Sequence, residues 1–311
     1  MEGHQTQFSK WKVDKLNSGK TLLAFIKDHL SPEYSAKQIK KAIDSNRCQV
    51  NGRTERFSSS LVGSGDEVVL EIQSLRQTAL KPILNESCVV LYQDPFMLAI
   101  YKPSGIPSDD LKFTRHLQEH FGPVYLAHRL DRDTTGVLLF ARNDNVQEIL
   151  FKKFKDHEIA KEYLCLVDGM PLHKSGLIEN YLVKVSSYQG QSIWGVAEGT
   201  QGVWAKTSWL LEQSNGSVSL IRCYPATGRT HQIRVHMAHL GNPILGDHQY
   251  ARSFCCSYRP SRVLLHAVKS SFIHPINNSK ITIEAPMPQD MREAAEVLGL
   301  PFLGGPKRST S

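Results

Sequence analysis

His128-Arg129-Leu130-Asp131-Arg132-Asp133-Thr134-Thr135-Gly136 runs without a break into Val137-Leu138-Leu139-Phe140-Ala141. The first part is a polar loop carrying two carboxylates and two arginines. The second is a continuous apolar run that predicts a strand buried on both faces. Loops held by rigid strands are where catalytic groups concentrate. Taken from these residues alone, Asp131 can be read as a catalytic carboxylate, a surface turn residue, or an ion-pair partner of Arg129.

Working outward from this strand, residues 88–92, 96–101, 164–167, 203–211, 217–223, 263–267 and 281–285 also read as strands. Asn215-Gly216 joins two of them as a hairpin turn. Helical spacing is found between strands at 145–157 and 231–240. Strands outnumber helices and are joined partly by hairpins, so residues 88–311 are expected to form an α+β domain on a mixed, largely antiparallel sheet.

A second polar cluster lies at Thr227-Gly228-Arg229-Thr230-His231-Gln232-Ile233-Arg234-Val235-His236 and continues to Pro243-Ile244-Leu245-Gly246-Asp247. Thr230 or His231 is expected to open a helix, Gly241 to end it and Pro243 to prevent its continuation. Its residues suggest one polar and one buried side. The histidines at 231, 236 and 239 lack the spacing and the completing carboxylate or cysteine of a zinc set.

The N-terminal region is built differently. Leu22, Phe25, Ile26 and Leu30 repeat at helical spacing, and Ser35 with Gln38 forms a capping-box pattern opening a second helix that buries Ala36, Ile39, Ala42 and Ile43. A short strand runs into the turn Asn51-Gly52, and Val68, Leu70 and Ile72 alternate after the turn Gly65-Asp66. Lys37, Lys40, Lys41, Arg47, Arg53 and Arg56 cluster around the second helix and the turn, against only Asp44 and Glu55. Such a cluster is either a solvated face or a set of phosphate contacts. Residues 1–76 are thus expected to be a small module, 77–87 a linker containing Pro82, and 88–311 the larger domain.

Composition narrows the classes. The chain has 311 residues, 41% hydrophobic and 22% charged, the profile of an ordinary globular protein. A formal net charge of +7 is compatible with a polyanionic partner. No apolar run reaches the length of a membrane span, and the polar start predicts a cytoplasmic protein with no secretory signal. The six cysteines show no C-x-x-C pair and are expected to be reduced thiols. Ser18-Gly19-Lys20-Thr21 lacks the first glycine of a phosphate loop, and no G-x-S-x-G elbow of a serine hydrolase occurs.

The segments at 128–136 and 227–247 together resemble the RluA-type RNA pseudouridine synthases, whose motifs read H-R-L-D-x-x-T-S/T-G and T-G-R-T-H-Q-I-R-V-H-x-A-x-x-G-x-P-I-x-G-D. Lys102-Pro103-Ser104-Gly105, Lys161-Glu162-Tyr163 and Leu265-His266-Ala267 match further motifs in the expected order. The stretch after Ser108 to Tyr125, acidic at Asp109 and Asp110, departs from the commoner pattern. Val50-Asn51-Gly52 and Gly65-Asp66-Glu67-Val68, after two helices, resemble an S4 RNA-binding domain over roughly residues 18–72.

The resemblance implies isomerisation of uridine to pseudouridine in structured RNA, with large-subunit ribosomal RNA the expected substrate. It implies Asp131 as nucleophile, Arg234 as its basic partner with Arg229 the competing candidate, and Tyr163 as the aromatic that stacks on the extruded base. A Tyr opening a strand is, on spacing alone, equally a core residue. Arg129 would fill the gap left by the flipped base, and His128 and Arg229 would contact substrate. Lys37, Lys40, Lys41, Arg47 and Arg53 would meet RNA phosphates. No metal or redox cofactor is implied, and the enzyme is expected to act as a monomer with RNA as its partner. Two rival readings are a silent RNA-binding or ribosome assembly factor and a tRNA-modifying relative. A glycosidase would need a second carboxylate about 5 Å or more from Asp131, for which no candidate stands out.

Overall fold

The computed structural model describes residues 8–30, 34–44, 47–71, 89–188, 191–251 and 253–300. The chain divides into two compact units, Met1–Asn85 and Glu86–Ser311. The expected linker at 77–87 lies outside the described residues, as do Ile72, Cys88 and the side chains of Lys37 and Lys41.

The first unit contains β1 (Phe8–Lys12), α1 (Leu22–His29), α2 (Ala36–Asp44), β2 (Cys48–Val50), β3 (Arg53–Thr54) and β4 (Glu67–Glu71). Thr21 caps α1 by accepting the Ala24 N–H, and the Ser35–Gln38 capping box closes in both directions. Leu22, Phe25, Ile26, Ile39, Ala42 and Ile43 pack on Cys48, Val68 and Leu70, as their spacing predicts; Ala36 is only half-buried. Asn51 and Gly52 both take positive φ, 53° and 76°, the turn that lets β2 fold back on β3. The sheet order is β1-β4-β2-β3. Strand β1 was not visible in the sequence. Its Phe8-Ser9-Lys10-Trp11-Lys12 carries no buried alternation, because it is an edge strand held by backbone pairing to β4.

The second unit holds β5 (Val90–Gln93), β6 (Met97–Lys102), α3 (Leu111–Phe121), β7 (Tyr125–Leu126), β8 (Thr135–Ala141), α4 (Asp144–Lys155), β9 (Ala160–Asp168), β10 (Ser175–Tyr188) and β11 (Gln191–Val196). It continues through β12 (Val203–Ser214), β13 (Val218–Pro225), α5 (Gln232–His239), β14 (Leu265–Ile273), β15 (Lys280–Glu284) and α6 (Gln289–Val297). The sheet runs β11-β10-β12-β13-β9-β14-β8-β6-β5, with β15 on β14 and β7 on β8. Its described pairings are antiparallel except β8 with β14, so the sheet is mixed and largely antiparallel.

Every residue of β8 is buried, as its apolar run predicts. Gly136, its second residue, takes φ +114°, and a Cβ there would stand 2.1 Å from the Ala267 carbonyl oxygen. Only glycine permits this approach of β8 to β14. Ala267 pairs with Gly136 on one side and Tyr163 on the other. One row across three strands therefore brings the loop before β8 toward the start of β9.

Helix α5 corrects the expectation of one polar and one buried side: Gln232 through Met237 are all buried. Its polar side chains are satisfied internally. Gln232 accepts from Thr227 Oγ1 and donates to the Lys206 carbonyl and Thr207 Oγ1. His236 meets Thr207 and Asn180, and Arg234 meets Asp247. The helix ends as expected at Gly241, φ 86°, where Gly241 and Asn242 donate to the Ala238 and Met237 carbonyls.

Candidate active site

Asp131 stands in the loop that leads into β8, and two fixed features hold that loop. Lys102, at the end of β6 and fully buried, donates to the carbonyls of Pro103, Arg132 and Thr134, each at 2.9 Å. Burial lowers the Lys102 pKa to about 7, although Asp133 and Asp131 act in the opposite direction. Ser108 Oγ both accepts the Leu130 N–H and donates to the Leu130 carbonyl.

The Asp131 side chain, 29% exposed, faces α5. Its Oδ2 lies 3.6 Å from Arg234 Nη1, and its Oδ1 lies 3.9 Å from His231 Nε2. Arg234 is locked from behind by Asp247, through Nε to Oδ2 at 2.6 Å and Nη2 to Oδ1 at 2.9 Å. Gln249 accepts a further bond from Nη2, and the Tyr250 ring lies under the guanidinium at 4.9 Å. Burial works against the Arg234 charge, but Asp247 and then Asp131 outweigh it and raise its pKa. The result is a fixed positive charge aimed at one carboxylate oxygen.

Two clefts meet at Asp131. One, of about 710 Å³, is lined by the loop, by Phe154 of α4, by Lys161 and Tyr163 of β9, and by residues 227–234. The other, of about 430 Å³, lies toward Ser192, Trp194 and Gln249. Both are within the size range of pockets that take a small organic group such as a nucleoside. Tyr163 is half-buried, and its hydroxyl pKa is raised by burial and then by Asp131. Lys161 donates to the Thr227 carbonyl, and burial, then Arg229, lowers its pKa to about 8.

Among the residues singled out from sequence, Asp131, Tyr163 and Arg234 come together around the larger cleft. Arg229 lines the same cleft, but its exposed side chain donates Nε to the Trp204 carbonyl and no ion pair joins it to Asp131. Arg129 is exposed and pairs with Asp109 at 3.4 Å, so the reading of Asp131 as its ion-pair partner is corrected. Asp110, the other acid of that stretch, caps α3. His128 borders the cleft with its ring against Phe154, while its Nε2 accepts the Leu139 N–H. Burial holds His128 neutral, down to about 3.

In the N-terminal unit Arg53 is exposed and Lys40 half-buried. Arg47 pairs with Glu71 at 2.9 Å. His231, Asp247, Tyr250 and Lys102 had no role assigned from sequence. Asp247 was signalled only by a Gly-Asp pair closing a motif, Lys102 by its place at the end of a buried strand and His231 as a candidate helix opener, while Tyr250 carried no signal. Among the described residues no group of three His, Cys, Asp or Glu side chains could hold a metal ion.

Comparison with known proteins gives a consistent picture. Residues 97–239 match the model of a family described as RNA pseudouridylate synthase. The chain is 33% identical over 256 residues to a ribosomal large subunit pseudouridine synthase C of Salmonella typhi, covering 76% of this chain and 80% of that one. The protein of the same name from Escherichia coli is 32% identical with the same coverage. Among solved structures, the human RNA pseudouridylate synthase domain containing 4 superposes with a TM-score of 0.58 at 24% identity, over 68% of this chain and 94% of that one.

Proposed function

The chain belongs to the RNA pseudouridylate synthase family, and from that premise we propose that it isomerises uridines of large-subunit ribosomal RNA with Asp131 as nucleophile. The observation that carries the assignment is the Asp131 carboxylate at the junction of two clefts, 3.6 Å from an Arg234 that Asp247 locks in place. The substrate class follows the names of the relatives from Salmonella typhi and Escherichia coli.

The chemistry asks little of the protein beyond placement. The N1–C1′ bond of uridine breaks, the base turns, and C5 bonds to C1′; the C5 proton leaves and N1 gains one, so atoms balance without oxidant or water. An ionised carboxylate can attack C1′ or stabilise positive charge developing there, and can accept a proton. Arg234 holds Asp131 aimed at that carbon. Tyr163 stacks on the base in the larger cleft and offers its hydroxyl near C5. Arg129, exposed beside the cleft, takes the place of the base in its stack. Arg229 and His128 border the site as substrate contacts.

The N-terminal unit acts as an S4-type RNA-binding module. Two helices on a small sheet, and a sequence that places Lys37, Lys40, Lys41, Arg47 and Arg53 around the second of them, support that reading. Arg47 would have to exchange Glu71 for phosphate, which makes it the weakest contributor of the set.

The test is to incubate purified protein with large-subunit ribosomal RNA and with tRNA transcripts, then map pseudouridine at single-nucleotide resolution. Discrete new sites in the ribosomal RNA and none in tRNA are expected. Modification confined to tRNA, or none in either, overturns the substrate assignment.

A further inference from the structure

His231 occupies an unusual position. It stands at the N-terminal boundary of α5 in left-handed backbone, φ 56° and ψ 18°, and makes no capping bond with its side chain. A non-glycine residue held there costs free energy, and such outliers cluster at functional sites. The ring is instead held by Tyr250, whose hydroxyl lies 2.6 Å from His231 Nδ1. That phenol oxygen also accepts the backbone N–H of Trp194 at 3.2 Å. The phenol hydrogen, pointed at Nδ1, would make Nδ1 the acceptor and place the imidazole proton on Nε2. Nε2 is the atom 3.9 Å from Asp131 Oδ1.

We propose that Tyr250 fixes His231 as the Nε2–H tautomer, making His231 a positioning residue that aims the Asp131 carboxylate at the reacting carbon. The inference rests on Asp131 being the nucleophile. Each carboxylate oxygen then has its own partner, Oδ2 facing Arg234 and Oδ1 facing His231, and the side chain cannot rotate freely about its last bond. Both gaps, 3.6 and 3.9 Å, exceed a hydrogen bond, so they leave room for adjustment when substrate enters.

The two partners differ for a reason. The charged and titratable groups facing His231 are Asp131 from the loop, Arg234 from α5, and Asp247 and Tyr250 from the segment that follows. Burial and Arg234 lower the His231 pKa, while Asp131 and Asp247 oppose this. A neutral donor orients the carboxylate without adding a second cation, which would further stabilise its charge and weaken it as a nucleophile.

The experiment compares Tyr250→Phe, His231→Gln and His231→Ala with the wild type, with Asp131→Asn in parallel. Single-turnover rate at saturating RNA, RNA dissociation constant, and imidazole 15N shifts at pH 7 are measured; the His231 signal is the one absent from His231→Gln. Tyr250→Phe keeps the ring beside His231 and Arg234 but lacks the hydroxyl. Its rate should fall roughly ten- to a hundred-fold with little change in RNA affinity. His231→Gln, which returns an N–H near the same place, should be faster than His231→Ala, and both variants carry the same backbone strain. The wild-type signal should be that of the Nε2–H tautomer, and Tyr250→Phe should lose that purity.

An Nδ1–H or doubly protonated ring in the wild type overturns the inference, as does an unimpaired Tyr250→Phe or a His231→Gln no faster than His231→Ala. An active Asp131→Asn instead brings down the nucleophile assignment itself, whatever the shifts show. An inactive Asp131→Asn beside a fully active His231→Ala removes only His231.

Discussion

Among the described residues, the buried side chains of 8–71 are apolar apart from Ser58, whereas 89–300 bury Lys102, Arg234, Asp247, Arg262, His236, His266 and His274. The contrast separates two uses of charge. Taking an ion out of water costs several kcal/mol and persists only with a partner placed to offset it. The second unit meets that condition with Asp247 behind Arg234 and three carbonyls around Lys102. Both arrangements converge on the loop that carries Asp131. The first unit keeps Arg53 in solvent, where a guanidinium retains its hydration and is free to displace counterions from a polyanion. On the proposed function, buried charge belongs to the site where geometry must be fixed and exposed charge to a surface that needs only to attract.

This contrast can be tested at several strengths. The largest effect should come from Asp247→Ala, which leaves the Arg234 guanidinium buried with its main partner gone. A loss of about 3–5 kcal/mol of unfolding free energy is expected, together with loss of activity. Chemical denaturation of both proteins measures it, and a cost below about 1 kcal/mol would show that the pair is not a strained necessity of the site.

Next is acid. Burial lowers His128 to about 3, and His236 and His266 to about 4, whereas unfolded imidazole titrates near 6.5. Between those values the unfolded chain takes up protons that the folded unit does not. Their contribution is therefore intact above about pH 6.5 and is lost as pH falls toward 4. Residues 8–71 contain no buried histidine among the described side chains. Hydrogen exchange on the full chain at pH 7 and pH 5, corrected for intrinsic rates, should show protection falling in residues 89–300 and changing less in residues 8–71. An equal fall in both would refute the contrast.

A moderate effect is expected at Tyr163. Replacement by Ala should weaken RNA binding by roughly ten-fold or more through lost stacking, about 1–3 kcal/mol. Tyr163→Phe should retain binding yet slow product formation in single turnover. If Tyr163 only packs the core, Phe will be fully active and Ala will chiefly lower the melting temperature.

The smallest effect on the fold belongs to Arg53→Ala. Its melting temperature should stay within about 2 °C of the wild type. The slope of log affinity against log salt should nevertheless shrink by roughly 0.7 to 0.9 for the phosphate contact removed. An unchanged slope would make Arg53 a solvated surface charge and nothing more.

What the sequence disclosed follows the same division. Strand β8 was legible because both its faces are buried and its residues are uniformly apolar. The capping box of α2 was legible because it is a local bond between Ser35 and Gln38. Strand β10 was hidden, since Asn180 interrupts its inward alternation between Ile178 and Leu182 to meet His236. The same bond explains why α5 looked two-sided: its polar face is buried against partners far along the chain. Helix α3 was overlooked although Asp110 caps it and Phe113 and Leu117 bury one face, because the acidic start was read as a departure from a motif. At the candidate site, Asp131, Tyr163 and Arg234 were singled out by motif, while that Arg234 rather than Arg229 stands beside Asp131 required geometry.

The central claim is that the Asp131 carboxylate makes the bond to the sugar. Forming pseudouridine removes hydrogen from C5, so RNA labelled with tritium at C5 of uridine reports each turnover as label released to water. Asp131→Asn preserves the shape of the side chain and removes the anion. The account predicts no detectable release by Asp131→Asn under single-turnover conditions, with the wild-type dissociation constant for RNA and the wild-type melting temperature retained. Tritium release at more than a few per cent of the wild-type rate, from a preparation free of other pseudouridine synthases, would contradict it.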